Sequence, residues 1–260
     1  MLLAYIYCKN MEISMRYRIL SVLLLFLLTA SIGLAGDWRV IPIKMFLGPK
    51  AKSGSVRLIN NYQAPLNLQV SAKTWSQDIN GQDIYEETDD IIFFPRVMTV
   101  PPGKEQVLRA GIKIPATTTE KTYRLFIEEI PESTRTGSAS VTVAIRFGLP
   151  IFVAPLEEKS TTEVTIAEIS NGTFTAAVKN TGNVHFLPGS AVVTGKDKTG
   201  QEIFSKDLKP WYILAGMSRP YSYSIPPGAC QKLATLRFEI TDSTQQLSRD
   251  IPVSGDQCHQ

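Results

Sequence analysis

The chain has 260 residues, 43% of them hydrophobic, and carries 27 Lys and Arg against 24 Asp and Glu, a formal net charge of +3 at pH 7. The basic residues are scattered rather than clustered, which argues against a nucleic-acid partner, because such a surface must neutralise several phosphates together. Its 3 cysteines contain no Cys-x-x-Cys, and its 2 histidines, His185 and His259, have no ligand-spaced companions, so no metal or redox cofactor is expected.

At the amino end, Met15-Arg16-Tyr17-Arg18 is a basic opening, Ile19 to Leu34 is almost entirely apolar, and Gly33-Leu34-Ala35 offers small residues at signal-peptidase spacing. Residues 1–36 are read as an upstream extension plus a signal peptide beginning near residue 15, with Met1 to Ser14 an over-extended start. The apolar run also approaches the ~20 residues of a membrane span. The small residues, followed directly by Asp37, favour cleavage, export and no stable membrane insertion afterwards. Loss of Lys9, Arg16 and Arg18 together with Glu12 leaves the rest nearly neutral.

The remaining chain is long enough for two domains of about 100 residues each, and its pattern is β throughout. Val56 to Ile59, Leu66 to Val70, Tyr123 to Ile127, Phe174 to Val178 and Leu236 to Ile240 read as strands. Turn-forming sets separate them: Asn80-Gly81, Pro101-Pro102-Gly103, Asn171-Gly172, Thr181-Gly182-Asn183, Thr199-Gly200 and Pro226-Pro227-Gly228. No amphipathic helix stands out. The fold class expected is all-β, two immunoglobulin-like sandwiches joined by a short elbow. The domains are placed at 37–154 and 155–260, with Pro155 stiffening the elbow because its ring fixes one backbone dihedral.

Between Val141 and Val153 every odd position is apolar: Val141, Val143, Ile145, Phe147, Leu149, Ile151 and Val153. Side chains alternate across a strand, so this is one oily ridge of about 13 residues against the usual 5–6. It is too long for one small domain to cover. Such a strand is either an aggregation hazard or a surface that pairs with another chain.

Export places Cys230 and Cys258 in an oxidising compartment, which favours a bridge over two free thiols. No catalytic constellation is visible, and the chain is not read as an enzyme. Ser218-Arg219 and Ser248-Arg249-Asp250 have no histidine nearby. The acidic stretch Glu86-Glu87 and Asp89-Asp90 lacks the ligand spacing of a calcium loop. Trp38, Trp75 and Trp211 lie in or beside strand-like runs and read as packing residues rather than a sugar platform.

Four segments in order carry a resemblance: Val56-Arg57-Leu58-Ile59-Asn60-Asn61 with Pro65 and Gln69-Val70; Phe94-Pro95-Arg96-Val97 with Pro101-Pro102-Gly103 and Gln106-Val107-Leu108-Arg109; Tyr123-Arg124-Leu125-Phe126-Ile127-Glu128-Glu129-Ile130-Pro131; and Leu149-Pro150-Ile151-Phe152-Val153-Ala154-Pro155. Together they resemble the PapD-like periplasmic pilus chaperones, with the last segment closest to the archaic, spore-coat-type branch. The resemblance implies a chaperone of fimbrial subunits that works with an outer-membrane usher. It would lend a strand to a subunit missing one of its own, with Val141, Val143 and Ile145 filling the subunit groove and Phe147, Leu149, Ile151 and Val153 facing its own core. It also implies two basic anchors for the subunit's terminal carboxylate. Counting back from Asn60 puts the first on Lys44. Aligning on Phe152 and Pro155 puts the second on Pro150, which has no charge, so Arg146 on the same even face is the substitute. Ala154 stands where relatives often carry an arginine that ties the domains through an acidic partner, so that bridge cannot form although Glu129 is present. The loop Glu132 to Ser138 is short and polar, and is expected to order on binding. The rival reading is a structural or adhesive immunoglobulin-like module with the same strand buried in its own sandwich.

Overall fold

The computed structural model describes residues 38–131 and 143–258. Two β-sandwiches follow one another along the chain. In the first, β1 (Trp38–Ile41), β3 (Ser53–Asn60), β8 (Glu105–Ile112) and β6 (Ile91–Phe94) form one sheet in the order β1-β3-β8-β6. The facing sheet has the order β2-β10-β9-β4-β5, built from β2 (Met45–Leu47), β10 (Arg146–Val153), β9 (Lys121–Glu129), β4 (Leu66–Gln77) and β5 (Asp83–Glu87), and β7 (Val97–Val100) pairs with β4. The chain leaves one sheet and joins the other between β1 and β2, at the cis Ile41–Pro42 peptide.

The alternation expected from the sequence is what fills the core. Val56 and Leu58 are fully buried while Ser55 and Arg57 face water, and Leu68, Leu108, Leu125, Ile127, Leu149, Ile151 and Val153 close over them. Each such side chain stabilises the sandwich by about 1.5–3 kcal/mol relative to exposure.

The second sandwich packs β11 (Thr162–Ser170), β12 (Thr173–Asn180) and β15 (Ser218–Ser224) against β14 (Glu202–Asp207), β13 (Ser190–Lys196), β16 (Thr235–Thr241) and β17 (Gln246–Pro252). Its separate core centres on Phe174, Phe238, Val193 and Ile240. Both sandwiches carry the same buried polar device. Asn60 Nδ2 donates to the carbonyls of Ala64 and Val100, and Asn180 Nδ2 donates to those of Val184 and Ile213. Each asparagine also accepts a backbone N–H two residues on, from Tyr62 and Gly182, so a fully buried amide at each corner is satisfied.

Three details depart from the sequence expectations. The long ridge is a strand only over the 8 residues Arg146–Val153. Val143 to Ile145 have no strand assignment, because β9 stops at Glu129 and its backbone N–H meets the Ile145 carbonyl as the last rung; Val141 and the loop Glu132 to Ser138 lie outside the described residues. The ridge is also not one-sided, since Pro150 and Phe152 on the even face are buried as well. Finally, Pro227–Cys230 is a one-turn helix rather than a simple turn, favoured by proline at its first positions.

Cys230 at that helix is joined to Cys258 in the closing 3-10 turn, with Cα atoms 5.6 Å apart and a sequence separation of 28. The turn is held besides by the Gly172 N–H donating to the Gln257 carbonyl at 2.7 Å. Replacing Cys258→Ser is expected to lower the stability of the second sandwich by roughly 3 kcal/mol. Urea unfolding of the variant and the wild type, each with and without reductant, checks this: reductant should destabilise only the wild type.

Candidate functional site

Strand β10 has two different sides. Along its whole length it pairs antiparallel with β9, from Arg146 opposite Glu128 to Val153 opposite Lys121. On the other side β2 pairs with it in parallel only at Ile151, Phe152 and Val153. Residues 146–150 therefore form an edge with unpaired backbone groups, the geometry that accepts an added strand. Pro150 fits there, because a proline is tolerated in a sheet where its missing N–H costs no ladder bond.

The side chains divide at the same place. Leu149, Ile151 and Val153 are fully buried and Phe147 packs on the core beside Trp38. Val143 is 78% and Ile145 41% exposed. The chain leading into the free edge thus presents apolar side chains to solvent, with no cover among the described residues.

On the even face Arg146 is paired with Glu128 at 2.6 Å and lies 3.9 Å above the Phe126 ring. Gly148 leaves the space that Phe126 needs, since a Cβ there would meet the ring at 3.2 Å. Lys44 is exposed, with Nζ 5.6 Å from the Phe46 ring centre. Lys44 directly precedes Met45, which is opposite Ile151, so it flanks Pro150 from the β2 side.

A cation that sequence reasoning passed over flanks Pro150 from the β9 side. Arg124 is opposite Pro150 in the ladder and only 6% exposed. Its Nη1 donates to the Gly148 carbonyl at 3.0 Å, and its guanidinium lies 3.8 Å over Trp75, with Trp211 and Tyr212 of the second sandwich at 5.7 and 5.8 Å. Burial holds the Tyr85 and Tyr212 phenols above their usual range, while the positive charge of Arg124 pulls both back down. The Tyr85 hydroxyl nevertheless donates to Asp83, and Nε and Nη2 of Arg124 are buried with no hydrogen-bond partner. In the sequence Arg124 is simply the polar step between Tyr123 and Leu125, and nothing local marks it.

The two sandwiches meet over the even face of β10. Phe152, 1% exposed, packs with Trp75 and Leu214. Gln77, at the end of β4, donates to the Tyr212 carbonyl at 2.9 Å and accepts the Leu214 N–H at 3.0 Å. The elbow is gripped rather than merely stiff: Asn183 bonds the backbone of Thr118, Glu157, Lys159 and Glu120, and a side chain at Gly182 would run into the Lys159 carbonyl.

The acid that reaches across is Glu120, not Glu129. Glu129 accepts from the Tyr62 hydroxyl and the Ile145 N–H, inside the first sandwich. Glu120 accepts both the backbone N–H of His185 and a bond from its ring Nδ1, each at 2.8 Å, while the imidazole stacks on Phe152 at 3.7 Å. This buried carboxylate and His185 join the two sandwiches across the junction. A histidine read in isolation gives no sign of this role.

Residues 41–159 match the family model described as pili and flagellar-assembly chaperone, PapD N-terminal domain. No curated protein sequence matches the chain. Among solved structures, the CsuC–CsuE chaperone–tip adhesion subunit pre-assembly complex, from the archaic chaperone-usher Csu pili of Acinetobacter baumannii, matches at a TM-score of 0.56 and 18% identity, covering 82% of this chain and 97% of that one. The YadV chaperone matches at 0.57 and 13%, covering 84% and 100%. The SafA pilin–SafB chaperone complex of Salmonella enterica matches at 0.55 and 12%, covering 83% and 96%. The family model thus spans the first sandwich and the elbow after it, and the solved chaperones share the fold of both sandwiches.

Because Glu120, itself buried, is the acceptor for a part-buried N–H, Glu120→Ala should cost about 1–3 kcal/mol of stability. His185→Phe, which keeps the stack on Phe152 and removes only the ring bond, should cost less. Thermal unfolding of both variants measures the order, and equal losses would mean that Glu120 acts through the ring bond alone and not through the His185 backbone N–H.

Proposed function

We propose that this protein is a periplasmic chaperone of fimbrial subunits that acts by donor-strand complementation and passes its cargo to an outer-membrane usher. One observation carries the reading: the free edge at 146–150 continues into exposed Val143 and Ile145. A subunit that lacks a strand has the complementary defect, an unpaired sheet edge beside an apolar groove. Pairing with β10 satisfies the backbone groups of both chains, and Val141, Val143 and Ile145 enter the groove at alternate positions. The same strand keeps Leu149, Ile151 and Val153 in its own core, so the lent segment is anchored by its other half.

The subunit's terminal carboxylate is received by basic side chains near Pro150. Lys44 is the first, exposed and directly beside the free edge. It supplies charge without the planar fork of an arginine. Arg146 is the second basic group on this face, and taking the carboxylate would require it to exchange Glu128. The cargo is bound and released without covalent chemistry.

Val143 and Ile145 are exposed, so Val143→Asp with Ile145→Asp should change the chaperone's own stability by no more than about 0.5 kcal/mol. Co-expressed with a fimbrial subunit encoded beside it, the double variant should lower subunit recovery from the periplasm by about tenfold or more, since each carboxylate would be buried in an apolar groove. Unchanged recovery would rule out strand donation through this edge. Lys44→Ala should reduce recovery while leaving the fold intact, and wild-type yield would remove it as an anchor.

A further inference from the structure

The sheet that does not contain β10 has an outward face that strand donation leaves unused. The registers of β1, β3, β8 and β6 align the exposed side chains of this face into two parallel diagonals. One is basic: Arg109 lies diagonal to Arg57, and Arg57 to Arg39. The other is apolar: Phe94, opposite Arg109, lies diagonal to Val107, and Val107, opposite Arg57, to Ile59. Diagonal neighbours on a sheet face are about 7–8 Å apart, so each arginine can reach a separate anion. Phe94 is 76% and Ile92 57% exposed. Beside them a trough of about 410 Å³ opens over Ser53, Ser55 and Gly111, with Lys52 and Arg109 at its border. Glu105, the acid on this face, is paired with Arg57 at 3.5 Å, while Arg39, Arg109 and Lys52 make no ion pair among the described residues. The three arginines are far apart in the sequence, and only the strand registers bring them together. Contiguous exposed apolar side chains mark an interaction surface. An apolar row bordered along its length by cations matches a layer that is apolar at depth and anionic at its surface.

We propose that this face docks the chaperone on an anionic phospholipid membrane, with Phe94, Ile92 and Val107 entering the headgroup layer and Arg39, Arg57 and Arg109 binding lipid phosphates. A guanidinium suits that contact, because its fork pairs with two phosphate oxygens at once. Arg57 exchanges Glu105 to take part, and a surface ion pair of that kind is weakly held. The contact is peripheral and reversible: no helix among the described residues is long and apolar enough to cross a membrane. Because the face belongs to the β1-β3-β8-β6 sheet, docking leaves the free edge of β10, in the other sheet, uncovered. Docking of this kind neither requires strand donation nor hinders it.

The test uses the signal-processed full chain and sedimentation with vesicles of phosphatidylglycerol mixed with phosphatidylcholine, with pure phosphatidylcholine as the control of zero net charge. The protein should pellet with the anionic vesicles and not with the control. Raising salt from about 0.01 to 0.15 M should release it, as the Debye length falls from about 30 to 8 Å. Arg39→Gln with Arg109→Gln should lower the partition constant at least about tenfold, at about fivefold per cation. Ile92→Ser with Phe94→Ser, which leaves the charge unchanged, should lower it by at least about tenfold as well. Lys179→Gln with Lys206→Gln, the same loss of charge from exposed positions of the second sandwich, should change it by less than about twofold. If the apolar pair does not fold, the arginine pair decides. Absence of pelleting with anionic vesicles at low salt, equal pelleting with phosphatidylcholine, or equal losses from the arginine and lysine pairs overturns the proposal. If vesicles are ignored and Ile92→Ser with Phe94→Ser instead dissolves a dimer in sedimentation equilibrium, or releases a soluble usher domain, the face binds protein and the membrane reading is overturned. Subunit recovery with Val143→Asp and Ile145→Asp is read separately, so strand donation and membrane docking can each fail alone.

Discussion

The structure depends on the unequal pairing of β10. On one side β9 accompanies it for 8 residues, and on the other β2 joins only for the last 3. Backbone donors and acceptors need partners wherever water is excluded, so the carboxyl half of β10 can be buried on both faces while the amino half must stay at the surface or be covered by another chain. The switch of the first strand from one sheet to the other, at Ile41–Pro42, sets where that boundary falls.

Everything on the even face follows from burying the second half. Phe152 could not be a core residue of the first sandwich, whose interior is filled by Leu149, Ile151 and Val153. It becomes the contact for the second sandwich, and Trp75, Leu214 and His185 assemble around it. Gln77 and Glu120 then supply the polar bonds at its margin. The elbow needs no length or flexibility to bring this about, because Asn183 holds it on both sides.

Three cations gather on this face beside the acids Glu128 and Asp83. Arg124 lies on β9, Arg146 on β10 and Lys44 directly before β2, and their states differ. Arg146 is neutralised on the surface by Glu128, Lys44 is solvated over Phe46, and Arg124 is enclosed by aromatic rings with donors left over. A surface ion pair contributes little to stability. A buried guanidinium with unmet donors is costly, and the cation–π contact with Trp75 offsets part of that cost.

Much of this was legible in the residues themselves. Period-two alternation through Val56, Leu58, Leu149, Ile151 and Val153 identifies strands and their buried faces, and the same alternation continuing to Val143 and Ile145 marks a ridge longer than its domain can use. Asn60 with its neighbours, and the Pro150 to Pro155 segment, carry the family resemblance. What local pattern cannot carry is the identity of the neighbours across a fold. Arg124 sits at an even position, where alternation predicts solvent, and only the arrival of Trp211 and Tyr212 from 87 and 88 residues further along the chain encloses it. His185 is a lone histidine until Glu120 is opposite it. Alternation is a property of one strand and is written in order along the chain. Burial on the second face, and the partners met there, come from how two separately folded sandwiches dock.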